Sequence, residues 1–292
     1  TISSKNNTNN LVKWNTDFNF ITNSLNQSFL NSFTEGGYIS DNVKNKWLDL
    51  SKENNIVYFE LNNSISYQNN AKKFGLEIAD RNIANVSVSK DLIRLALYGN
   101  YNYQNQNLNI SNTNIRLTRF QQYRFNYSFY YKKLNVKTGL SYIVGNYLTS
   151  YNIKSGNIYT ANYGSLIDVN YEMSAFISDT ANLNPFATNG NGFAYDLVIN
   201  FKLKDFDVKA YMYDFGSIKW NPSSITYSAD STFIFSGVEV DNILNFNDSI
   251  LEEYSNNEIF TNENSKITSY IPSQFGFNIS KNINNKKISS YS

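Results

Sequence analysis

Between Asn191 and Asn221 the chain alternates with a period of two. Phe193, Tyr195, Leu197, Ile199, Phe201 and Leu203 fall on one face, and Ala194, Asp196, Val198, Asn200 and Lys202 on the other. Lys204-Asp205 can form a two-residue turn, after which Phe206, Val208, Ala210 and Met212 alternate with Asp207, Lys209, Tyr211 and Tyr213. That turn predicts the pairs 203/206, 201/208, 199/210 and 197/212, all apolar on apolar. The opposite face pairs Lys202 with Asp207, Asn200 with Lys209 and Asp196 with Tyr213. A slip of one residue would ruin both faces.

A second hairpin follows the same logic. Tyr123, Phe125, Tyr127, Phe129 and Tyr131 alternate with Arg124, Asn126, Ser128 and Tyr130. Lys132-Lys133 is the turn, and Leu134, Val136, Thr138, Leu140, Tyr142 and Val144 return. Further strands are predicted near 15–21, 57–67, 74–79, 149–159, 165–176, 233–240 and 270–282. Short helices are predicted over 41–50 with Asp41 as cap, over 89–98 with Ser89 as cap and Gly99 at its end, and over 248–254.

Asn284 to Lys287 reads as another turn. Connections at 145–148 and 178–191 fall opposite the lysine turns, so tight turns share one rim and longer loops the other. Residues 217–268 break the alternation from Ile218 onward and read as one long excursion at the loop rim.

A stripe about 11 residues long with one apolar and one polar face suits a membrane-spanning strand. The expected fold is therefore all-β: a single antiparallel transmembrane β-barrel domain over 1–292, cut short at its C-terminus. Phe125, Phe129, Val136, Leu140, Leu197, Ile199, Phe201, Val208 and Met212 would face lipid. Arg124, Lys137, Asp168, Glu172, Asp196, Lys202, Asp207 and Lys209 would face the interior, either as a polar passage or as a cross-strand ion-pair network. Tyr123, Tyr142, Phe193, Tyr195, Tyr213, Phe215 and Trp220 lie near strand ends and would form an interfacial girdle.

Composition removes several chemistries. The 292 residues contain no Cys and no His, which excludes disulfides, thiolate nucleophiles, imidazole bases and the common zinc sites. The 25 basic residues against 24 acids give no basic excess for nucleic acid. No run of 18 apolar residues exists, and Thr1-Ile2-Ser3-Ser4 does not open a signal peptide. Asp214-Phe215-Gly216 spells a kinase triplet without the glycine-rich and catalytic loops that would give it meaning. Glu252-Glu253 lacks the opposed geometry a glycosidase needs. The Asn-x-Ser/Thr sequons follow from the abundance of Asn. No catalytic, cofactor or metal residue is predicted, and no enzymatic activity.

The stretches KDLIRLALYGN (90–100), RFNYSFYYKKLNVKTGLSYIVGN (124–146) and GNGFAYDLVINFKLKDFDVKAYMYDFGSIKW (190–220) carry a resemblance, as does Phe-Ser-Gly-Val-Glu at 235–239. Together they resemble a family of uncharacterised outer-membrane β-barrels of Bacteroidota, catalogued only as a domain of unknown function. The resemblance implies a signal peptide upstream, further strands downstream and a barrel like the fatty-acid-transporter type. It supplies no catalytic residues. The expected role is a non-enzymatic barrel in the bacterial outer membrane, in contact with the lipid bilayer. It would serve as a scaffold or partner subunit beside other envelope proteins in surface-protein export, adhesion or nutrient uptake. The alternatives are a transporter of small hydrophobic molecules, which requires an apolar pocket inside the barrel, and a soluble secreted sandwich or adhesin, which requires the apolar stripes to be buried.

Overall fold

The computed structural model describes residues 10–25, 27–36, 38–69, 73–179, 184, 186–203, 205–235, 261–264, 266–283 and 286–290. Its strands are β1 (Leu11–Thr22), β2 (Asn54–Gln68), β3 (Phe74–Ser89), β4 (Asn107–Asn109), β5 (Thr113–Tyr131), β6 (Leu134–Thr160), β7 (Ile167–Ile177), β8 (Gly190–Leu203), β9 (Phe206–Trp220), β10 (Ile225–Phe235), β11 (Thr261–Asn264), β12 (Thr268–Tyr270), β13 (Gln274–Ile283) and β14 (Lys286–Ser290). Three α-helices occur among the described residues: α1 (Gln27–Glu35), α2 (Asp41–Leu50) and α3 (Lys90–Tyr98). None is long and apolar enough to cross a membrane.

The strands form one antiparallel sheet whose main path is β1-β2-β3-β5-β6-β8-β9-β13-β14. Both predicted hairpins have the predicted register: Leu203 faces Phe206 and Ile199 faces Ala210, while Tyr131 faces Leu134 and Phe125 faces Leu140. The sheet is strongly curled. Flat, β3 and β9 would stand four strand spacings apart, roughly 19 Å at ~4.8 Å each. Yet Arg81 of β3 reaches Asp214 of β9 at 2.7 Å. The result is a half-barrel with a concave and a convex face. β1 and β14 end the path, and no pairing joins them among the described residues.

One strand does double duty. β6 runs unbroken for 27 residues, so 145–148 is strand and not the connection predicted there. Against β5, Asn146 is an extra residue between Gly145 and Tyr147, a bulge. Along its other edge β6 pairs with β8 below that bulge, through Gly145, and with β7 above it, from Thr149. β7 and β8 are thus two pieces of one descending leg.

The expected irregular stretch from Ile218 is likewise strand: β9 continues to Trp220, and β10 pairs with β7 along its whole length. The tight turns after β5 and β8 still share one rim, with α1, α2 and α3 at the other. Lys204, residues 236–260, which include the predicted helix at 248–254, and residues 284–285 lie outside the described set.

Local chemistry explains the caps. Ser89 accepts from the Leu92 N–H at the start of α3, and Gly99 with φ 71° ends it. In α2 the cap is Ser40, with Asp41 the first helical residue, one position from the expectation. Large apolar side chains collect on the concave side near the fork. Ile83, Phe120, Ile143, Leu148, Phe176, Ala194, Ile218, Trp220 and Ile271 form a buried cluster there.

Candidate functional site

Below that cluster the concave face is ionic. Glu60 from β2, Glu77 and Arg81 from β3, Gln122 and Arg124 from β5, Asp196 from β8 and Asp214 from β9 converge. Arg81 bridges Glu60 and Asp214, with its guanidinium over the Phe120 ring. Arg124 contacts three carboxylates: Glu77, Asp214, and Asp196 at 2.8 Å. Gln122 donates to Asp214 Oδ1 at 2.8 Å and to Ser141 Oγ at 3.0 Å. Four carboxylates therefore share two guanidiniums, largely shielded from solvent.

A bulge in β9 builds this site. Tyr195 faces Phe215 and Leu197 faces Met212, so both Tyr213 and Asp214 lie opposite Asp196. Asp214 has φ 58°, a left-handed conformation that Asp tolerates better than most residues. Its N–H donates to Asp196 Oδ1 at 2.7 Å. The extra residue resets the alternation. Below it, even-numbered residues 206–212 point outward; above it, Phe215, Ser217 and Lys219 do.

This corrects one assignment. Trp220 was expected in an outward girdle, but the reset turns it inward, where it is 2 % exposed. Its Nε1 donates to Ser269 Oγ at 2.8 Å.

The tight-turn end of the concave face is basic. Lys132, Lys133, Lys202 and Lys209 line a cavity of 640 Å³ together with Asp207, Asn135, Asn200, Asn278 and Ser280. The predicted register holds, with Lys202 opposite Asp207 and Asn200 opposite Lys209. The expected Lys202–Asp207 ion pair does not form: among the described residues no carboxylate lies within 4.0 Å of these four ammonium groups. Lys132 and Lys209 lie instead over the rings of Tyr131 and Tyr211.

The remaining interior residues scatter. Lys137 is half-buried on the concave side. Asp168 and Glu172 lie on β7, beyond the fork. Glu172 pairs with Lys154 at 2.7 Å near solvent, and Asp168 accepts from Asn170 at 3.2 Å. Neither joins the network.

The convex face is organised in rows along the hydrogen-bonding direction. One row reads Thr16, Asn63, Asp80, Gln121, Val144, Asn191, Lys219 and Thr268, almost all polar. The next outward row toward the tight turns reads Trp14, Ile65, Ile78, Tyr123, Tyr142, Phe193, Ser217 and Tyr270. From there to the turns, the only charged outward residue among the described strands outside β14 is Lys281, at the tight rim over Phe206.

Phe125, Phe129, Leu140, Ile199 and Phe201 lie exposed in this sector. Val136, Leu197, Val208 and Met212 share its face, half exposed. Of the expected girdle, Tyr123, Tyr142 and Phe193 stand in the aromatic row. Tyr195 and Phe215 lie one row lower, and Tyr213 faces inward in line with Lys209 and Tyr211.

Sequence reading missed Glu60, Glu77, Arg81, Gln122 and Asp214. In the strands predicted at 57–67 and 74–79, Glu60 and Glu77 alternate with Phe59, Leu61, Leu76 and Ile78, and the same alternation carried two residues past Ala79 reaches Arg81, so a period of two could have found all three. Asp214 carried no such signal, since only the bulge turns it inward.

No curated protein and no solved structure matches the chain. A family model does match, over residues 2–291. The chain belongs to DUF5723, a family of unknown function.

Proposed function

We propose that this protein is an integral outer-membrane β-barrel of a bacterial envelope, without enzymatic activity, acting as a scaffold or partner subunit. The observation that carries the reading is the inverted distribution of chemistry on the sheet. The convex face holds a sector free of charge except at its lower edge, while carboxylates and guanidiniums are packed on the concave face. Water would favour the reverse arrangement, and lipid favours this one.

The dimensions agree. From Gln121 to Tyr131 is ten residue steps on β5, roughly 33 Å at ~3.3 Å each. At the tilt of about 35–45° usual in such barrels this spans roughly 25 Å, the height of their apolar band. The aromatic row under the polar row fits an interfacial girdle.

The scaffold role is favoured over transport of hydrophobic molecules by what fills the concave side. A transporter needs an apolar pocket there, whereas charged groups tied to one another occupy its middle. The apolar cavity, 390 Å³ lined by Phe59, Leu117 and Tyr147, opens on the convex side. A soluble sandwich would bury Leu140, which is 59 % exposed.

The test is fractionation. The natural gene is expressed with its export signal, and the outer-membrane fraction is run boiled and unboiled on a denaturing gel. A faster unboiled band in that fraction is the expected result. A protein soluble without detergent and lacking the shift would refute the reading.

A further inference from the structure

We infer that the basic cavity at the tight-turn end of the concave face is a binding site for a small, hydrophilic polyanion of the phosphate class. Three independent features point there. The first is charge without ion pairing: Lys132, Lys133, Lys202 and Lys209 line one cavity in which Asp207 is the single acid, with the Lys132 and Lys209 ammonium groups over the Tyr131 and Tyr211 rings. None of the four ammonium groups has an ion-pair partner among the described residues. Like charges gathered in one cavity repel, and an anion relieves that repulsion.

The second feature is the remaining polar lining. Asn135, Asn200, Asn278 and Ser280 add amide and hydroxyl donors to the ammonium donors. The volume, 640 Å³, lies within the range of small-ligand sites.

The third is backbone cost. Lys132 occupies the left-handed region at φ 52°, where Gly or Asn would be at ease. A lysine is kept at the turn against its local preference, as happens where the side chain itself is needed.

The same end of the molecule repeats the charge in sequence. Among the described residues, Lys73 and Lys281 stand at this same rim beside Lys132, Lys133 and Lys202, accompanied by Asp205 and Asp207. An approaching anion meets a positive rim and then the cavity. The inference goes beyond the membrane reading and does not depend on it, because the cavity lies on the concave side.

The experiment is isothermal titration of the full chain in neutral detergent with inorganic pyrophosphate, and with decaglutamate as a peptide control. Pyrophosphate is expected to bind one to one. The double variant K202Q/K209Q should weaken binding by about tenfold or more, while Asp207→Asn should tighten it severalfold by removing the opposing charge. Neither change removes an ion pair, and far-ultraviolet circular dichroism of each variant checks folding without reference to the membrane reading. Absence of pyrophosphate binding would overturn the inference. So would binding that K202Q/K209Q leaves unchanged, or tighter binding of decaglutamate, which would make the cavity a docking point for an acidic chain segment.

Discussion

Arg124 and Asp214 touch each other, but removing one should cost more than removing the other. Arg124 is the hub of three carboxylates, Glu77, Asp196 and Asp214, and only Arg81 supplies further positive charge to the network. Arg124→Met keeps much of the side-chain volume but leaves four carboxylates against one guanidinium. Asp196 and Asp214 side chains are only 5 % and 7 % exposed, so water cannot replace the lost partner.

Breaking a buried pair from the side that strands its partner costs about 3–5 kcal/mol. Asp214→Asn acts in the opposite direction on the charge balance, leaving three carboxylates for two guanidiniums. Asn also tolerates the left-handed backbone at φ 58° and can keep its one oxygen for Gln122 and Arg124, while its NH2 replaces the oxygen that accepts from Arg81. Its expected cost is about 1.5–3 kcal/mol, the loss of the Arg81 hydrogen bond and of charge assistance in those from Gln122 and Arg124.

The assay is urea unfolding of the refolded protein in lipid vesicles, followed by tryptophan fluorescence, since Trp220 sits in the buried cluster above the network. The expected order of midpoints is wild type, then Asp214→Asn, then Arg124→Met below both. Adding Asp196→Asn to Arg124→Met should recover part of the loss. Equal costs for the two single variants, or no recovery in the double variant, would show that packing and not charge balance governs this region.

Two neighbouring residues should fail in different environments. A methyl group at Gly139 would lie 2.7 Å from Asp196 Oδ2, so Gly139→Ala should push Asp196 off Arg124 and cost about 1–3 kcal/mol in detergent and in bilayers alike, read from the same urea midpoints. Leu140→Lys, on the convex face, should be nearly neutral in detergent but cost about 2–4 kcal/mol in vesicles, read from the difference between the two midpoints. A large cost in both media would place Leu140 in a protein core.

Both hairpins were legible because in each the alternation, the turn and the facing pairs agree on one register, and the convex stripes followed from that register. The fork at Asn146 was not. Residues 145–148, Gly-Asn-Tyr-Leu, interrupt the alternation and read as a connection. In the structure Asn146 is a bulge whose Nδ2 donates to Gln121 Oε1 and to the Ala187 carbonyl. The interruption was real, but a bulge and a loop look alike in sequence when long-range partners are unknown. The same holds at Asp214. The hairpin pattern predicts Asp196 opposite Tyr213 and leaves Asp214 on the lipid side, because nothing local announces an extra residue. The Lys202–Asp207 pair failed differently: opposite charges at facing positions suggested an ion pair, but facing across two strands fixes Cα positions and leaves the ends of long side chains free.

The two bulges have a common consequence that ties fold to site. A strand that keeps strict alternation presents the same parity to each face from end to end. Without an extra residue at Asp214, β9 would send Ile218 and Trp220 outward above Met212 and leave the concave side without its largest buried side chain. With it, one strand carries Val208, Ala210 and Met212 on the convex face, delivers a carboxylate to two arginines, and then contributes Ile218 and Trp220 to the inner cluster. The Asn146 bulge performs the equivalent reset on β6, so that Ile143 below it and Leu148 above it enter the same cluster despite their odd spacing. The apolar cluster and the ionic network are therefore stacked on one side of the sheet by two inserted residues. Deleting either residue should exchange the faces of everything beyond it, a far larger perturbation than the loss of any single contact.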